Sequence, residues 1–86
     1  MAEREFKFNG FEREHLIQLV HGYWKGNASV RLDGESIYER LFDLCDFGFD
    51  APFEADGVQG MVKVRVRFGS IYRYSVEIAG IDYPMS

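Results

Sequence analysis

The stretch Ser36-Ile37-Tyr38-Glu39-Arg40-Leu41-Phe42-Asp43-Leu44-Cys45 decides the fold class, because its spacing predicts a helix. Ser36 and Glu39 stand at capping-box spacing, in which each side chain bonds the other's free backbone N–H. Ile37, Tyr38, Leu41, Phe42, Leu44 and Cys45 recur on one helical face, and Gly48 is a plausible stop. Upstream, Phe11, Leu16, Ile17, Leu19, Val20, Tyr23 and Trp24 are close to helical spacing and predict a second helix over 11–24. Asn9 or Gly10 could cap its start, and Gly22 and Gly26 weaken its end.

Strands are expected on either side of this helical pair. Arg4-Glu5-Phe6-Lys7-Phe8 alternates charged and apolar residues, the period of a half-buried strand. Residues 28–32 fit either a short strand or a loop, ended by Asp33-Gly34. Residues 49–60, with Pro52, Gly57 and Gly60, read mostly as loop with a short strand at 52–55. Val62, Val64, Val66 and Phe68, then Tyr72, Tyr74, Val76 and Ile78, form two alternating strands around Gly69-Ser70. A two-residue turn pairs Phe68 with Ile71 and splits valines from tyrosines. That would leave Tyr72 and Tyr74 beside Arg65 and Arg67 as an exposed stacking platform. A longer loop pairs Phe68 with Tyr72 and gathers the apolar residues on one face; it buries more and is preferred. The expected fold is α+β, a single domain over 1–86 with the order β-α-α-β-β and two helices on a small antiparallel sheet.

The chain has 86 residues, 47% of them hydrophobic and 16% aromatic, enough to build a thin core in a domain this short. Cys45 is the only cysteine, so neither an internal disulfide nor a cysteine-rich metal site is expected. The charged start Met1-Ala2-Glu3-Arg4-Glu5 lacks a signal peptide's apolar stretch, and no run approaches a membrane span. A cytoplasmic location is the expectation. With a net charge of −4, direct nucleic-acid binding is not expected.

Charge is unevenly spread along the chain. Between 32 and 62, eight acids (Asp33, Glu35, Glu39, Asp43, Asp46, Asp50, Glu54 and Asp56) face the single base Arg40, a net of −7. Between 63 and 80, Lys63, Arg65, Arg67 and Arg73 against Glu77 give +3. On a helix, Glu35, Glu39, Asp43 and Asp46 would align along one side. Such a stripe is either a solvated face or a surface that docks on a basic partner. In the docking reading, Glu35, Glu39, Asp43, Asp46 and Asp50 are the partner-binding residues. Phe42, Phe47, Phe49 and Phe53 beside them serve either as apolar anchors or as core.

No catalytic constellation stands out. His15 and His21 are six apart, on different faces of a helix, and do not form the i, i+4 metal pair. A His15 pair with Glu12 or Glu14 reads as surface, and Cys45 as a small core residue. No cofactor or metal site is expected.

The hairpin Val62-Lys63-Val64-Arg65-Val66-Arg67-Phe68-Gly69-Ser70-Ile71-Tyr72-Arg73-Tyr74-Ser75-Val76-Glu77-Ile78 resembles the central hairpin of RelE/ParE-type toxins. That resemblance implies a ribonuclease acting through Arg65, Arg67, Tyr72 and Arg73, although the chain is acidic where such toxins are usually basic. The preferred reading is a non-enzymatic inhibitor, phage-encoded, anti-CRISPR-like or immunity-type, whose acidic helix masks a basic, nucleic-acid-binding surface of a partner protein. A ribonuclease toxin is the first alternative. A self-associating scaffold, dimerising through an exposed first or last strand, is the second.

Overall fold

Every regular element is a β-strand in the computed structural model, which describes residues 1–22, 25–42, 48–67 and 71–86. Strands β1 (Ala2–Asn9), β2 (Glu14–His21), β3 (Ala28–Leu32) and β4 (Glu35–Arg40) form one antiparallel sheet in chain order. Strands β5 (Gly48–Ala55), β6 (Val58–Arg67), β7 (Ile71–Ile78) and β8 (Ile81–Pro84) form a second, also in chain order. The expected α+β fold is therefore corrected to all-β. No helix among the described residues is long and apolar enough to cross a membrane.

The two misread segments explain the correction. In β2 the inward residues are His15, Ile17, Leu19 and His21, all buried, while Leu16 and Val20 on the outer face are half-buried. Apolar residues on both faces blur the two-residue period, and the blurred pattern imitates a helix. In β4, Ser36 pairs with Arg31 and Tyr38 with Val30, so Ile37 has no partner and forms a bulge. The bulge shifts the inward set by one residue, which again mimics helical spacing. Leu44 and Cys45 lie outside the described residues, as do Tyr23 and Trp24.

Turn chemistry fixes the hairpins. Asp33-Gly34, Asp56-Gly57 and Ala79-Gly80 each form a two-residue loop with both residues at positive φ, as a type I′ turn requires. These turns match the right-handed twist of the flanking strands and set the register. Between β6 and β7, Arg67 pairs with Ile71, Val66 with Tyr72 and Val64 with Tyr74. Neither anticipated register is observed. The observed one lies two residues from the preferred alternative, so valines and tyrosines still share the inner face. Tyr74 is buried and Tyr72 half-buried, which removes the exposed stacking platform.

The sheets pack face to face around Ile17, Leu19, Val30, Val62, Val64 and Val76, none more than 1% exposed. Each such aliphatic side chain contributes roughly 1.5–3 kcal/mol by leaving water. Phe8 from the first sheet meets Phe53 of the second at 5.4 Å, and Tyr38 stacks on Phe49 at 4.5 Å. Phe53 needs room, and Gly60 opposite it supplies that room by lacking a side chain. Pro52, which cannot donate to a ladder, sits on β5 at a sheet edge. On one side of the sandwich Glu5 and Ser86 exchange two backbone hydrogen bonds, at 2.7 and 3.1 Å, bridging β1 to the segment after β8. Residues 81–86 are thus held in place.

Two substitutions test this account by urea denaturation. Gly60→Ala should cost about 1–3 kcal/mol, because the new methyl meets the Phe53 ring and the Glu77 carbonyl. Ala79 carries φ 53° in an open turn, so Ala79→Asn should stabilise the domain by about 1 kcal/mol. An unchanged midpoint in the first, or a loss in the second, contradicts the packing or the turn assignment.

Candidate functional site

His15, inward-facing on β2, is only 4% exposed, and both its ring nitrogens are engaged. Nδ1–H donates to Asp33 Oδ2 at 2.6 Å and Nε2–H to Asp56 Oδ2 at 3.1 Å. Carboxylates can only accept, so the ring carries both protons and is an imidazolium. Phe8 stacks on it with centroids 5.2 Å apart. Asp33 and Asp56 open two of the type I′ turns, where a short polar side chain tolerates positive φ. Period-two alternation on β2 aims His15 at both turns, so one side chain joins a turn of each sheet.

Each carboxylate has further partners. Asp33 Oδ1 accepts from the Leu16 amide at 2.9 Å, and Oδ2 accepts from Arg13 at 3.1 Å. Asp56 Oδ2 accepts from the Glu12 and Arg13 amides at 2.7 and 3.1 Å. The loop between β1 and β2 is therefore bound to the same centre, and its Phe11 amide donates to the Asp56 carbonyl at 3.1 Å. The Phe11 ring lies against Gly57 yet is 86% exposed. Glu12, Arg13, Leu32, Glu35 and Glu54 join the triad around an open cleft of ≈ 700 Å³.

With both nitrogens saturated, His15 has no lone pair for a proton or a metal. Among the described residues, no group of three or more His, Cys, Asp or Glu could hold a metal ion. The site's chemistry is that of a clamp that fixes an exposed loop.

The other residues singled out in the sequence lie apart. Glu35 opens β4 at the cleft, and Glu39 is exposed on β4 opposite Ser29. Asp50 lies on β5 and accepts a 2.6 Å bond from Arg65, while Asp43 and Asp46 lie outside the described residues. Among the described residues, no helical stripe joins Glu35, Glu39 and Asp50, which lie on strands β4 and β5. Phe49 and Phe53 are core, Phe42 is exposed, and Phe47 lies outside the described residues. His15, read as surface, is buried. A spacing of six puts His15 and His21 on different faces of a helix but on the same face of a strand. That even spacing, together with the Asp33-Gly34 and Asp56-Gly57 dipeptides, was the signal for the site.

The clamp makes stability pH-dependent. The hydrogen bond to Asp33, then that to Asp56, raises the pKa of His15 above its usual 6.5. The His15 bond, then the Leu16 amide, lowers that of Asp33 below 3.8. The Glu12 amide leads in lowering that of Asp56, with His15 and Arg13 adding to it. A raised histidine contributes stability that is complete below 6.5 and lost as pH rises through its folded value. Lowered carboxylates contribute stability that is present above 3.8 and lost as pH falls through theirs. Melting temperature should therefore hold a plateau between these limits and decline on both sides. In His15→Phe the alkaline decline attributable to this group should vanish; an unchanged alkaline limb would show that the imidazolium does not carry it.

Comparison with known proteins gives one family. The sequence matches the Fas apoptotic inhibitory molecule (FAIM1) family over residues 9–85. A comparison with curated proteins finds no match. The family match overturns the resemblance of residues 62–78 to RelE/ParE-type toxins, and with it the phage, anti-CRISPR and immunity setting. An inhibitory role, the coarser part of the reading from sequence, agrees with the family's name. Matched along nearly its whole length, the chain belongs to the Fas apoptotic inhibitory molecule (FAIM1) family.

Proposed function

We propose that the domain is a non-enzymatic inhibitor in Fas apoptosis that acts by binding a protein through the clamped end of its sandwich. The observation that carries this reading is Phe11, 86% exposed on a loop whose backbone is tied to Asp56. An exposed ring on a fixed backbone is suited to binding, because little conformational freedom remains to be lost on docking. The clamp spends its polar groups on holding the loop, which suits recognition better than turnover. The family's name supplies the inhibitory direction.

Charge around Phe11 selects the partner. Glu12, Glu35 and Glu54 line the cleft with Asp33 and Asp56, against Arg13 and the protonated His15. The surplus is negative, so a basic partner surface with an apolar socket for Phe11 is complementary. Of the five acids read from sequence as partner-binding, Glu35 lines this cleft.

Survival of cells challenged through Fas tests the reading. Cells expressing the wild-type chain should outlive controls, and Phe11→Ala should remove most of that protection. Truncating a binding anchor of this kind costs about 2 kcal/mol or more, roughly thirtyfold in affinity. Circular dichroism and melting curves of Phe11→Ala should match the wild type, since the ring is largely exposed. No protection by the wild type would end the inhibitory reading; full protection by Phe11→Ala would end the role of this surface.

A further inference from the structure

The outer face of the second sheet carries a basic patch that the clamped end does not use. Lys63, Arg65 and Arg67 point outward from β6, as do Ile71, Arg73 and Ser75 from β7. Arg65 pairs directly with Arg73, and Arg67 with Ile71. Like charges directly opposite each other on an antiparallel ladder are destabilising, so the fold carries this arrangement at a cost.

Part of the charge is balanced within the chain. Lys63 donates to Glu77 and Asp82, each at 3.2 Å, and Arg65 to Asp50 at 2.6 Å. Arg67 and Arg73 have no carboxylate partner among the described residues. Ile71, opposite Arg67 and two residues before Arg73 on β7, is 57% exposed. The side chains Lys63, Arg65, Arg67 and Arg73 rim a hollow of ≈ 260 Å³, with Ser75 and Asp82 also lining it. Ser75 is only 7% exposed and gives the hollow a low floor.

We infer that this face binds an acidic peptide segment of a partner protein, with carboxylates on Arg67 and Arg73 and an apolar side chain against Ile71. Guanidinium forks match carboxylates in geometry as well as charge, and a sheet face with an exposed apolar residue beside the forks accepts an extended chain. The surface is separate from Phe11 in position and opposite in the charge it seeks. An acidic protein that keeps a positive face is steered towards such a segment in one orientation.

Fluorescence anisotropy with a labelled peptide of two glutamates on each side of a leucine tests the inference on the intact chain. Binding should weaken about tenfold or more when the glutamates become glutamines, or when Arg67→Glu and Arg73→Glu are combined. Binding should also weaken on raising salt from about 0.05 to 0.5 M. Phe11→Ala should leave it within about twofold, since distant sites act independently. Equal binding of the glutamine peptide, indifference to the arginine reversals, or preference for a single-stranded oligonucleotide of similar charge would each overturn the assignment. The glutamine peptide leaves the protein unaltered, so folding of the variant does not decide the result.

Discussion

A buried imidazolium between two carboxylates holds the end of this sandwich together. His15 lies on β2 of the first sheet, Asp33 at a turn of the same sheet, and Asp56 at a turn of the second. Sheets packed through aliphatic side chains can slide, because dispersion and hydrophobic burial have little direction. Charge-assisted hydrogen bonds do have direction, and these two cross the gap at a defined point. The same aspartates occupy the first position of their type I′ turns, so one residue sets a hairpin and anchors a neighbouring loop. A side chain that merely tolerated positive φ would keep the turn and lose the anchor.

The other end of β2 repeats the device with different chemistry. His21, fully buried, makes a 2.9 Å hydrogen bond through Nδ1 to the Tyr74 hydroxyl of the second sheet, and meets the Tyr72 ring edge-on at 4.5 Å. Between the histidines sit Ile17 and Leu19, the apolar centre of the strand. β2 thus places a polar stitch at each end of its inner face and grease in the middle. Polar pairs in a core add little net stability, but unpaired they are costly, so they penalise every other alignment of the two sheets. No buried side-chain nitrogen or oxygen among the described residues lacks a partner.

This arrangement explains what the sequence disclosed and what it concealed. The strands at 4–8, 62–67 and 72–78 were legible, because charged and apolar residues alternate there without interruption. The shared face of valines and tyrosines was legible too, since a register error of two residues preserves the face. β2 was not, because two of its four inward residues are histidines and two of its outward ones are Leu16 and Val20. Polarity then fails to report direction. β4 was concealed by the unpaired Ile37, and the accidental Ser36/Glu39 spacing supplied a false helix start. The strongest local signal was present throughout: Asp33-Gly34 and Asp56-Gly57 lie between apolar runs, where they specify tight hairpins. Read as a mere stop and as part of a loop, they gave no reason to look for strands on both sides. The clamp itself depends on pairing His15 with residues 18 and 41 positions away, which no local pattern contains.

The charge asymmetry read along the chain survives folding, but in a different form. A helical stripe would have gathered the acids on one face. Strand alternation and the hairpin turns instead distribute them: Asp33, Glu35, Glu54 and Asp56 to the clamped end, Asp50 to the partnering of Arg65, and Glu39 to the surface of β4. The bases of β6 and β7 stay together because alternation projects every second residue to the same side, and three of these are arginines. A modest net charge thereby becomes a dipolar surface, with negative charge around a projecting aromatic ring and positive charge on a sheet face. Net charge alone would predict a weak, unoriented attraction to basic partners. Separated charge of both signs does more, since an approaching molecule feels a torque as well as a pull, and the first contacts it makes are then already oriented.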